Sequence, residues 1–175
     1  MNGYGYTYLP QEPLQEILKT PVEKKQVGII RLEMVREGRS LYGMGRLKTP
    51  REAAQMVGIL FRRTDREQVV VLSLDSQLTP AALEIVAIGG LNSGSVEVSS
   101  IFKHAILNNS AYIICFHNHP SGVCSPSRED RMLTERLERS GAILGIPLVD
   151  HIIIGGDGQY MSFAEQGWLK GDGAA

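Results

Sequence analysis

Apolar residues recur at spacings of three and four through Ala53, Met56, Val57, Leu60 and Phe61, which predicts a helix with one buried stripe. Thr49-Pro50-Arg51-Glu52 marks its start with a capping hydroxyl, a proline at the first helical position and a glutamate placed to close a capping box. The helix should end near Arg63. From Glu67 the pattern changes to a run of branched residues, EQVVVLSLD, which reads as a central strand, with ALEIVAIGG as its hairpin partner beyond the Asp75 to Pro80 turn. Ser99 and Ser100 are N-cap candidates for the helix IFKHAILNN, whose face would be Ile101, Phe102, Ala105 and Ile106. AYIICFHNHP follows as a buried strand ending in two histidines.

The segment SPSRED opens another helix, expected to run to Gly141 as a left-handed cap. PLVDHIIIGG then reads as a strand, followed by a turn over residues 155–158 and a short final strand in YMSFAEQG. Ahead of Thr49, VGIIRLEMV (27–35) reads as a strand for a sheet edge, and residues 1–25 as an arm with a short helix near 14–19. The expected division is therefore an arm and edge strand over 1–48 and a main domain over 49–175. Strands interleaved with helices permit an α/β fold, a sheet flanked by helices.

Composition narrows the function without naming it. Hydrophobic residues at 43% and charged residues at 21% suit a packed globular domain. A net charge of -1, with basic residues clustered only at Arg62, Arg63 and Arg66, leaves nucleic-acid binding possible but unsupported by charge. No apolar stretch reaches bilayer length and the N-terminus lacks signal-peptide layout, so no membrane partner and a cytoplasmic address are expected. Two cysteines, Cys115 and Cys124, are too few for a disulfide framework or a zinc knuckle.

His117 and His119 stand two apart at a strand end, and because a strand repeats every two residues, both rings leave one face. Ser127 and Asp130 stand three apart on the following helix and share a face that can turn back toward them. Two histidines and one aspartate meet the three-ligand count of a catalytic zinc site that keeps its fourth position open. Such a site also needs a base; Glu67, at the mouth of a strand in the same sheet, is the candidate, although periodicity does not select it. The chain has neither H-E-x-x-H nor the H-x-E with P-C-x-x-C of zinc deaminases. The consecutive His117-Asn118-His119 also lacks the spread-out arrangement of HNH nucleases.

With Ser127 and Asp130, the stretch His117-Asn118-His119-Pro120-Ser121-Gly122 resembles the H-x-H-x7-S-x-x-D motif of the JAMM/MPN metallopeptidases, with every fixed position present. LNSGSVEVSSIFKHAI, HNHPSGVCSPSRED and LVDHIIIGG look like the RadC branch of that superfamily, and the resemblance covers about residues 49–167. It implies a cytidine-deaminase-like α/β fold, a mixed sheet flanked by helices, and hydrolysis of a peptide or isopeptide bond in a peptide or protein substrate. It also implies Zn2+ held by His117, His119 and Asp130, with Glu67 as general acid and base and Ser127 steadying the oxyanion; Glu84 is the fallback base. The RadC name suggests an alternative, a non-catalytic scaffold or DNA-processing accessory. The helix-hairpin-helix region of full-length members is not read before Thr49, and Cys124 stands in the metal loop, where a thiolate could reach zinc. His151 is expected to be a structural histidine, and His104 to face outward without a partner.

Overall fold

A computed structural model describes residues 45–62, 64–89 and 96–170. The strand and helix expected before Thr49, and Arg63 itself, lie outside them. Helix α1 (Pro50–Phe61) is followed by the hairpin β1 (Gln68–Leu74) and β2 (Pro80–Ile88), then α2 (Val98–Leu107), β3 (Tyr112–Asn118), α3 (Arg128–Leu144), β4 (Leu148–Ile154) and β5 (Tyr160–Ser162). The strands form a five-stranded sheet in the order β2-β1-β3-β4-β5. Among the described strands only the β3–β4 pair is parallel, and α3 supplies the crossover that a parallel pair needs. The fold is thus the mixed α/β sheet with flanking helices that the resemblance implies and the element order permits.

Both faces of the sheet are covered, which is why its middle strands read as unbroken apolar runs. Val70, Leu72, Leu74, Ile114, Phe116, Ile152 and Ile154 pack with the α1 stripe, while Val69, Val71, Ile113 and Cys115 pack on the other face with Ile101, Phe102, Leu133 and Leu137 of α2 and α3. The parity matters for the site: His117 continues the 113, 115 series and so points toward α3. Among the described residues no helix is long and apolar enough to cross a membrane.

Several local expectations need correction. At the start of α1, Thr49 Oγ1 accepts the Glu52 N–H as expected, but the Glu52 carboxylate returns to the Lys48 N–H, one residue early. Helix α2 begins at Val98 with Glu97 at its N-cap, so Ser99 and Ser100 lie inside the first turn. Its buried face takes in His104, while Ile106 is half exposed. His104 Nδ1 meets the Glu84 carboxylate at 2.8 Å, so the ring has the partner that apolar spacing alone cannot reveal. Helix α3 runs past Gly141 to Leu144, and Gly145, at φ 68°, supplies the left-handed cap.

Gly141 has another reason to be glycine. A Cβ there would stand 2.7 Å from the backbone oxygen of Ile146 and 3.3 Å from the Leu148 N, the segment that turns α3 into β4. Alanine ordinarily favours a helix interior over glycine by about 1 kcal/mol. Here the clash is with backbone that cannot swing aside, so Gly141→Ala should lower stability by about 1–3 kcal/mol in urea denaturation. A stabilised variant would contradict this packing.

Candidate metal centre

The antiparallel register of β1 and β3 closes the long sequence gap between Glu67 and the histidines. Val69 lies opposite His117, so continuing two residues outward sets Glu67 opposite His119, on the same face. Asn118, whose side chain points to the other face, clamps this corner. Its Oδ1 accepts the Gln68 N–H at 2.8 Å, and its amide nitrogen donates to the Arg66 carbonyl and to Thr64 Oγ1. The Glu67 carbonyl accepts from the Gly89 N–H at 2.7 Å. The backbone carrying Glu67 is therefore held from both neighbouring strands.

Asp130 arrives from the start of α3. Ser127 caps that helix, its Oγ accepting the Asp130 N–H at 3.1 Å, and Asp130 Oδ2 returns the capping box by accepting from the Ser127 N–H at 2.6 Å and Oγ at 2.8 Å. Oδ2 is thus fully used. Asp130 Oδ1 is buried without a hydrogen-bond partner and stands 3.0 Å from His117 Nε2.

One ligand atom from each of Glu67, His117, His119 and Asp130 lies within 4.8 Å of the others. His117 and Asp130 are buried, and Glu67 and His119 half-buried. His119 Nδ1 lies 2.7 Å from the Val123 carbonyl, which can only accept, so that nitrogen carries the proton and Nε2 of the neutral ring is bare. It stands 3.0 Å from His117 Nε2. Lone pairs crowded this closely need a positive charge among them, either a proton or a metal cation. Nitrogen and carboxylate donors at a site partly open on the Glu67 and His119 side could hold a metal ion.

The electrostatics agree. Burial works to raise the Asp130 pKa, but the imidazoles of His117 and His119 and the Ser127 N–H outweigh it and hold the carboxyl well below its usual range. Asp130 pulls the His119 imidazole up against the effect of burial.

The other residues singled out in the sequence lie elsewhere. Glu84, the fallback base, is engaged with His104 on β2 and α2 and is not one of the four. Cys124 packs against Gly155, outside the convergent set, and burial pushes its thiol up. Three further residues border the centre: Asn118 and Thr134, for which the sequence raises no expectation, and His151, the expected structural histidine. Asn118 occupies the free position of H-x-H; Thr134 lies one turn beyond Asp130, a spacing that signals a shared helix face; and His151 Nε2 meets His117 Nδ1 at 2.9 Å. His151 is fully buried, which keeps its imidazole well below the ordinary histidine range.

A family model described as RadC-like JAB domain matches residues 47–168. This chain belongs to that family. Among its RadC-like relatives, a UPF0758 protein of Methanosarcina mazei is 41% identical over 125 residues, which are 71% of this chain and 54% of that protein. One from Shouchella clausii is 38% identical over 164 residues, 91% of this chain and 71% of the relative. One from Roseiflexus castenholzii is 34% identical over 163 residues, 93% and 68% of the two chains. Against the Methanosarcina relatives the chain spans about half their length.

In this RadC-like domain the strand behind the site is anchored by a buried carboxyl. Asp150 Oδ2 accepts from Ser162 Oγ at 2.5 Å and Oδ1 from the Ala164 N–H at 3.0 Å, on either side of Phe163, which stacks on His151. Burial pushes the Asp150 carboxyl up to about 6, against those hydrogen bonds. Because the folded value exceeds the ordinary 3.8, the folded state holds the proton more tightly than the unfolded chain. Stability should therefore fall as pH rises from about 4 to about 6, leaving a penalty of about 3 kcal/mol above that range. Asn at 150 can still accept from Ala164 and donate to Ser162 Oγ, so Asp150→Asn should remove this slope and gain on the wild type as pH rises. Urea midpoints measured across that range test this, and parallel curves for the two proteins would contradict it.

Proposed function

We propose that the chain is a zinc-dependent peptidase that hydrolyses a peptide or isopeptide bond, with His117, His119 and Asp130 holding the metal. The convergence of these three with Glu67, all within 4.8 Å, carries the reading. Zinc suits two imidazole nitrogens and a carboxylate oxygen with a fourth position left open. When bound, it supplies a Lewis acid that polarises a carbonyl and lowers the pKa of water.

The remaining work falls to the chain's own groups. Glu67 takes a proton from the attacking water as the water oxygen joins the carbonyl carbon, then hands it to the departing amine as the carbon–nitrogen bond breaks. Ser127 Oγ donates to the carbonyl oxygen as charge grows there. At rest that hydroxyl proton is given to Asp130 Oδ2, so it must turn toward the substrate. A scaffold would have no use for a base beside the ligand set, which favours the peptidase over an accessory role.

Metal analysis of the zinc-reconstituted full chain by mass spectrometry tests the ligand set. About one zinc per chain is expected, absent when His117→Ala and His119→Ala are combined. Glu67→Gln should keep its zinc and lose about 10²–10⁴-fold in turnover on a peptide library. A wild type that takes up no zinc, or an unimpaired Glu67→Gln, would contradict the proposal.

A further inference from the structure

Thr134 on α3 and His151 on β4 are both buried, and neither is among the four convergent groups. Together they form a line of polar atoms running from one prospective ligand to another. Thr134 Oγ1 lies 2.8 Å from the Asp130 carbonyl oxygen and 2.7 Å from His151 Nδ1, and His151 Nε2 lies 2.9 Å from His117 Nδ1.

Chemistry fixes the protons in this line, because one end has no choice. A backbone carbonyl only accepts, so the single hydroxyl proton of Thr134 goes to Asp130. The Thr134 oxygen must then accept, which places a proton on His151 Nδ1. His151 has no exposed surface, lies flat on Phe163 with 13° between the ring planes, and among the described residues has no carboxylate bonded to either ring nitrogen. A cation there would be buried and unpaired, so the ring is neutral and its Nε2 bare. That bare nitrogen accepts from His117 Nδ1–H. The other nitrogen of His117 is left with its lone pair facing His119 and Asp130.

We propose that Thr134 and His151 are positioning residues that lock His117 in the Nδ1–H tautomer and so present Nε2 to the metal before the metal arrives. The opposite tautomer would put a proton in the site itself. Because the line ends on the backbone of Asp130, it also ties the strand that bears the histidines to the helix that bears the carboxylate. The inference rests on the reading of His117 as a ligand.

The direct test is the histidine tautomer in the metal-free full chain, by multiple-bond 15N–1H correlation at mildly alkaline pH, with protons expected on Nδ1 of both His117 and His151. Thr134→Val removes the acceptor, so the His151 proton should move to Nε2 and drive that of His117 to Nε2 as well. Zinc affinity, by competition with a chelator, should fall about 10–100-fold, and Thr134→Ser should restore both properties. An Nε2–H tautomer at His117 in the wild type overturns the proposal. So does a folded Thr134→Val that keeps Nδ1–H and wild-type zinc affinity. Should Thr134→Val not fold, the wild-type tautomer decides alone. A correct tautomer in a chain that takes up no zinc would count against the ligand set and in favour of the relay.

Discussion

Strand β3 lies between β1 and β4, and its period-two alternation sorts every side chain it carries. Ile114 and Phe116 go to the α1 layer, and Ile113, Cys115 and His117 to the layer that holds α2 and α3. This constraint places His117 and His119 on the side from which α3 delivers Asp130. The same register that sets Val69 opposite His117 carries Glu67 to the site, and β4, paired in parallel with His151 opposite Cys115, brings His151 up behind it. A slip of one residue in either pairing would send these groups to opposite faces.

Polar satisfaction does the rest. Nearly every donor and acceptor around the centre is spoken for: Asp130 Oδ2 by Ser127, His119 Nδ1 by Val123, Asn118 by the entry to β1. Where the four groups meet, Asp130 Oδ1 is left without a hydrogen-bond partner and the two Nε2 atoms face each other at 3.0 Å. Polar groups paired around the edge and crowded together at the middle are an arrangement that could hold a metal ion.

Much of this was legible in the sequence. The two-residue spacing of the histidines and the three-residue spacing of Ser127 and Asp130 carry their geometry with them, because strand and helix periods are local properties. The run of branched residues in β1, β3 and β4 announces a sheet covered on both faces. Periodicity does not select Glu67, since its place depends on strand register, which turns and long-range pairing decide. His104, Asn118, Thr134 and His151 depend on neighbours that are distant in sequence or on hydrogen bonds that hydropathy does not record. Helix α3 runs beyond Gly141, which looks like a helix stop in the sequence but is constrained instead by the close approach of the Ile146–Leu148 backbone.

In the proposed function two imidazoles and a carboxylate hold the metal while Cys124 stays outside. X-ray absorption at the zinc edge of the reconstituted chain tests it most directly. A shell of nitrogen and oxygen scatterers at about 2.0–2.2 Å, with the outer-shell signature of two imidazoles, is expected. A sulfur scatterer at about 2.3 Å, or a shell without imidazole, would contradict it.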